Sequence, residues 1–110
     1  MIQEMTLNGD SFNRIKAGVQ TIEMRLYDEK RQNVRLGHQI NFTNKINGEQ
    51  ILVTVTGIAI FATFEALVAH LDLRYFDASS KEAVLSGVHQ IYSADQIAEH
   101  GVAGFLIKAI

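Results

Sequence analysis

The chain has 110 residues, of which 47% are hydrophobic and 20% charged, and a formal net charge of −2; this is enough for one hydrophobic core and too little for two, so one domain over residues 1–110 is expected. Cysteine is absent, which excludes disulfides, thiolate metal sites and a cysteine nucleophile. Met1–Gln20 carries Glu4, Asp10, Arg14 and Lys16 with no apolar leader, and apolar runs such as Gly57–Ala62, of six residues, fall far short of the ~20 that span a bilayer, so a soluble cytoplasmic protein is expected.

Ile2–Leu7 reads as an opening strand. A short helix follows from Asp10 or Ser11, with Phe12, Ile15 and Val19 on one face and Gly18 placed to end it. Thr21–Leu26 alternates: Ile22, Met24 and Leu26 point to a core, while Thr21, Glu23 and Arg25 form a polar face. Tyr27–Leu36 is a charged loop, and Gly37 turns the chain into a strand over Gln39–Thr43. Asn47-Gly48 predicts a type I′ hairpin turn into a long strand, Gln50–Phe61.

The period then becomes helical. Thr63 caps a helix carrying Phe64, Leu67, Val68 and Leu71. Ser79 with Glu82 and Ser93 with Gln96 are two capping-box patterns, for helices over Ser80–His89 and Ala94–His100. Val84, Leu85, Val88 and Ile91 form the apolar stripe of the first. Val102–Ile110 is a strand too apolar for an exposed edge, predicted to lie centrally in the sheet or to complete a barrel. The order β-α-β-β-β-α-α-α-β favours an α+β fold: a mixed β-barrel of about five strands with three to four short helices packed outside.

Charge is uneven. Arg14–Arg35 holds six basic and three acidic residues, a local +3, and the remainder of the chain sums to −5, which points to a localised anion site on an acidic body. The four histidines are scattered without the i, i+4 spacing of a helical metal site, and no glycine-rich phosphate loop or G-x-S-x-G sequence occurs. No cofactor and no metal are implied.

The segment Gly18-Val19-Gln20-Thr21-Ile22-Glu23-Met24-Arg25 resembles the G-x-K-x-x-E-x-R signature of ASCH domains, PUA-like barrels proposed to bind RNA. The similarity continues through Asp28-Glu29-Lys30-Arg31, the Gly37 turn, the Gln50–Phe61 strand and the Thr63–Leu71 helix. It implies a PUA-like barrel whose partner is RNA or a nucleotide. The expected cleft is walled by the Thr21–Arg25 strand and the Asp28–Arg35 loop, and the candidate binding residues are Lys16, Gln20, Thr21, Glu23, Arg25, Tyr27, Lys30, Arg31 and Arg35. Arg25 can fork onto a phosphate or base edge, Glu23 can accept from an exocyclic amine, and Tyr27 or Tyr92 can stack on a base.

The chain departs from the signature at Gln20, where the family has lysine. Small ASCH proteins resembling acetylcytidine amidohydrolases use that lysine, a threonine three positions on and a distant glutamate. Here the first two positions are Gln20 and Glu23, so no catalytic residue carries over. A small hydrolase acting on a modified nucleoside or on RNA is the alternative function, and a protein-interaction module a third.

Overall fold

A computed structural model describes all residues, Met1–Ile110. Five strands form one mixed sheet: β1 (Ile2–Leu7), β2 (Ile22–Leu26), β3 (Gln39–Asn44), β4 (Gln50–Phe61) and β5 (Val102–Ala109). Their spatial order is β1-β3-β4-β5-β2, with β1 parallel to β3 and every other pairing antiparallel. Four helices accompany it: α1 (Gly9–Lys16), α2 (Phe64–His70), α3 (Lys81–His89) and α4 (Ala94–His100). The sheet curls into a half-barrel, the α+β, PUA-like architecture expected. No helix is long and apolar enough to cross a membrane.

β5 lies centrally, as its composition requires. Ala103, Phe105 and Ile107 enter one core with Met5, Phe12, Ile15 and Phe42, and Val102 enters a second with Ile22, Phe64, Leu67 and Ile97. The first core joins α1 to the sheet, and the second lies under α2, α3 and α4. Burial on both faces explains why β5 lacks the polar alternation of a half-exposed strand. Along β4 the register slips between Val55 and Gly57. This bulge brings Ile58 opposite Phe105, against the same core as Val55. A Cβ on Gly57 would lie 2.7 Å from Leu106 Cδ1, so glycine fits the close approach.

The local signals hold with five corrections. The cap of α1 is Asn8, whose Oδ1 accepts from Ser11 N. Gly18 follows the helix at φ 78°, with Gly18 N donating to Ile15 O and Val19 N to Arg14 O, a Schellman closure that leaves Val19 47% exposed. The β3–β4 hairpin exists, but only Gly48 of the Asn-Gly pair has positive φ. The loop is longer than two residues because Asn44 N pairs with Glu49 O, so the turn is not type I′. The cap of α3 is Ser80, which accepts from Ala83 N, rather than Ser79. Ile91 is 63% exposed because it follows the end of α3 and turns away from the core, whereas Val88 stays buried.

Candidate functional site

β2 is an edge strand paired only with β5, and β1 is the opposite edge. Glu23 and Arg25 lie across from Phe105 and Ala103 in the β2–β5 register, so they share the face that packs on α1. Ile22 and Leu26 point the other way, into the second core. The strand is therefore buried on both faces rather than half-exposed: Glu23 is 8% exposed.

Where the two sheet edges approach, a cleft of about 510 Å³ opens between β1, the start of α1, β2 and α3. Gln20, Glu23 and Arg25 line it, together with Ser11, Arg14 and Lys45. Tyr92 also borders it, with its ring stacked on Phe64 at 5.7 Å, so one aromatic face is already covered.

The polar groups are held in fixed geometry. Arg14 Nε donates to Gln20 Oε1 at 2.9 Å and Arg14 Nη2 to Ser11 Oγ at 3.2 Å. Gln20 Nε2 in turn donates to Ile22 O at 2.8 Å. Arg25 Nε donates to Glu23 Oε2 at 3.0 Å, and Arg25 Nη2 reaches the Thr6 carbonyl at 2.7 Å. Burial pushes the Glu23 carboxyl above the ordinary carboxylate range; Arg25, the largest opposing influence, does not fully offset it. Burial likewise raises the Tyr92 phenol.

The other candidates lie outside this lining. Lys16 is exposed and pairs with Glu49. Thr21 is tied through its backbone, its N–H to Tyr75 O and its carbonyl to Ile107 N. Tyr27 packs against the first core. Lys30 Nζ donates to Glu4 O at 2.8 Å, on the same free edge of β1 that Arg25 reaches. Arg31 pairs with Asp28 at 3.1 Å and helps to lower the Glu23 carboxyl by its charge, the weakest of the influences on it. Arg35 is exposed and forms no ion pair.

Arg14, Ser11 and Lys45 were missed as site residues. The i, i+3 spacing of Ser11 and Arg14 before the Gly18 turn was the available signal for two of them. Lys45 reaches the cleft only because β3 pairs with β1 and its N–H bonds to Leu7 O at 2.9 Å. No group of three or more His, Cys, Asp or Glu is arranged to hold a metal.

The ASCH domain family model matches residues 5–102. Among solved structures, hypothetical protein PH0355 is 30% identical, with full coverage of both chains and a TM-score of 0.88. PF0455 from Pyrococcus furiosus is 27% identical over 100% of this chain and 98% of its own, with a TM-score of 0.77. ASCH from Zymomonas mobilis, 14% identical over 97% of this chain and 66% of its own, shares the fold with a TM-score of 0.70. No curated protein matches the chain. The family match over most of the chain, joined to the half-barrel and the Gly18–Arg25 segment on its edge strand, makes this protein a member of the ASCH domain family.

Proposed function

We propose that the protein binds RNA or a nucleotide, in the cytoplasm and as one domain, by admitting a nucleotide unit to the cleft between β1, β2 and α3. The observation that carries this reading is the convergence of Arg14, Gln20, Glu23 and Arg25 on one cavity of about 510 Å³, within the ~300–1,000 Å³ range of small-molecule sites. Glu23 Oε1 and the remaining donors of both guanidiniums offer the mixed acceptor and donor pattern that a base edge presents in complement. Thr21 fixes the start of the strand through its backbone and Tyr27 packs on the first core beyond its end; of Lys16, Lys30, Arg31 and Arg35, all outside the cleft, Lys30 and Arg35 have no carboxylate partner and offer positive charge to flanking phosphates, while Lys16 and Arg31 share theirs with Glu49 and Asp28. Titrating four ribonucleotides and short single-stranded RNAs into ¹⁵N-labelled protein tests the proposal. Amide shifts at Gln20–Leu26 and Ser11–Arg14 are expected, with affinity falling as salt rises; no shift at low salt with any of them overturns it.

One observation favours a second reading, a small hydrolase acting on a modified nucleoside or RNA. Glu23 is a buried carboxyl with raised proton affinity inside the cleft, the kind of group acid–base chemistry employs. Gln20 argues against it, because an amide bonded to Arg14 and to a backbone carbonyl is neither base nor nucleophile.

A further inference from the structure

The charges around the cleft do not balance evenly along its length. At its β2 wall, Glu23 and Arg25 neutralise one another at 2.9 Å. At the α1 end the situation differs. Arg14 gives Nε and one Nη2 hydrogen to Gln20 and Ser11, both neutral, and has no carboxylate within ion-pair distance. Its planar fork is therefore oriented with its charge uncompensated, and Nη1 is left to donate. Lys45 borders the same cavity; its Nζ makes no hydrogen bond or ion pair, and its backbone N–H is anchored on Leu7 O at 2.9 Å. Leu7 directly precedes Asn8, whose side chain holds Ser11 N at 2.8 Å. Lys45, Ser11 and Arg14 thus gather at the corner where β1 passes into α1. The remaining acid of the lining, Asp77, forms no ion pair with either cation.

We infer that this corner is a phosphate subsite, so that the cleft selects a phosphorylated nucleotide over the free nucleoside; the inference rests on the nucleotide-binding reading above and deepens it. Arg14 supplies a preoriented fork, Lys45 a mobile point charge and Ser11 a hydroxyl. A phosphate here removes the excess charge without displacing the Arg14–Gln20 bond. The β2 wall, neutral overall, then faces the base or sugar. The phosphate is either the terminal group of a mononucleotide or a linkage within an RNA strand.

The test compares each ribonucleoside with its 5′- and 3′-monophosphates, and with a trinucleotide lacking terminal phosphates, by calorimetry and amide shifts. At least one monophosphate or the trinucleotide should bind about tenfold or more tightly than the nucleoside, shifting Ser11, Arg14 and Lys45 amides. Preference for the monophosphate assigns a terminal phosphate, and preference for the trinucleotide assigns a strand linkage. Lys45→Ala, an exposed change, should cut phosphorylated-ligand affinity about three- to tenfold and lower the log–log salt slope by about one. It should leave nucleoside affinity unchanged. Equal binding of nucleoside and phosphorylated forms, or unaltered affinity in Lys45→Ala, overturns the subsite while leaving the cleft reading intact. No binding of any ligand overturns both.

Discussion

Arg25 Nη2 donates to the carbonyl of Thr6 at 2.7 Å, so one side chain clasps the two free edges of the sheet. Carbonyls on an open strand edge otherwise depend on water or invite another chain. Lys30 treats Glu4 O in the same way, two residues back along β1. Both carbonyls face outward because those of Met1 and Leu7, on the alternate phase of this parallel strand, accept from Gln39 N and Lys45 N.

Arg25→Ala should therefore affect stability as well as binding. Its side chain is 13% exposed and paired with Glu23 at 11%, so the residue is not the solvent-facing arginine the alternation suggested. Removing one member of a buried pair costs about 3 kcal/mol, and the lost ligand contact about 1–3 kcal/mol. Urea unfolding and nucleotide titration separate the two effects. If stability falls and affinity holds, Arg25 is a clasp alone.

Glu23 should leave a signature in the pH dependence of stability. Its carboxyl is raised in the folded state, so the folded chain retains a proton that the unfolded chain has released. The resulting stabilisation is complete below the ordinary carboxylate range and is lost as pH rises through the folded value. The unfolding free energy of wild type minus that of Glu23→Gln should accordingly decline from pH 4 upward and then level off. A difference that increases with pH would mean that Arg25 dominates over burial.

Restoring the family lysine at Gln20 should be unfavourable in this chain. Gln20 Oε1 accepts from Arg14 and its Nε2 donates to Ile22 O; lysine has no acceptor and brings a second positive charge against the guanidinium. Gln20→Lys should cost about 1–3 kcal/mol, and adding Arg14→Met should recover part of it. Thermal melts of the single and double variants check this coupling, and additive losses would refute it.

Turnover of acetylated cytidine should be slight or absent. General-base assistance contributes ~10²–10⁴-fold, and the two family positions matched here hold Gln20 and Glu23. Chromatography of the substrate after incubation with purified protein decides the matter; efficient release of cytidine would make the hydrolase reading the better one.

The elements were legible because their signals are local. Thr63 caps α2 as expected, and Ser93 with Gln96 forms the full capping box of α4. Alternation located β2 and its core-facing Ile22 and Leu26. It could not reveal that Glu23 and Arg25 are covered too, because what covers them comes from β1 and α1, brought near by a sheet order that no period encodes. The partners of the basic loop were hidden for a related reason. Lys30 and Arg31 looked free in one dimension but bond to Glu4 O and Asp28, while Lys45, isolated in sequence, borders the same cleft as Arg14.

The central position of β5 also orders events in time. β2 has no neighbour in the sheet except β5, and β5 lies 75 residues or more beyond it in the chain. During synthesis β1, β3 and β4 can pair early, but β2, which carries Glu23 and Arg25, has no strand to pair with until Val102–Ala109 has emerged. The cleft is then the last part of the molecule to take shape, and the hydrophobic faces of β4 and α2 wait uncovered meanwhile. Ribosome-bound chains halted before Val102 should be cut readily by protease within Gly18–Leu36, and chains extended past Ile110 by a linker that clears the tunnel should resist; equal cleavage of both would show that β2 docks without its partner.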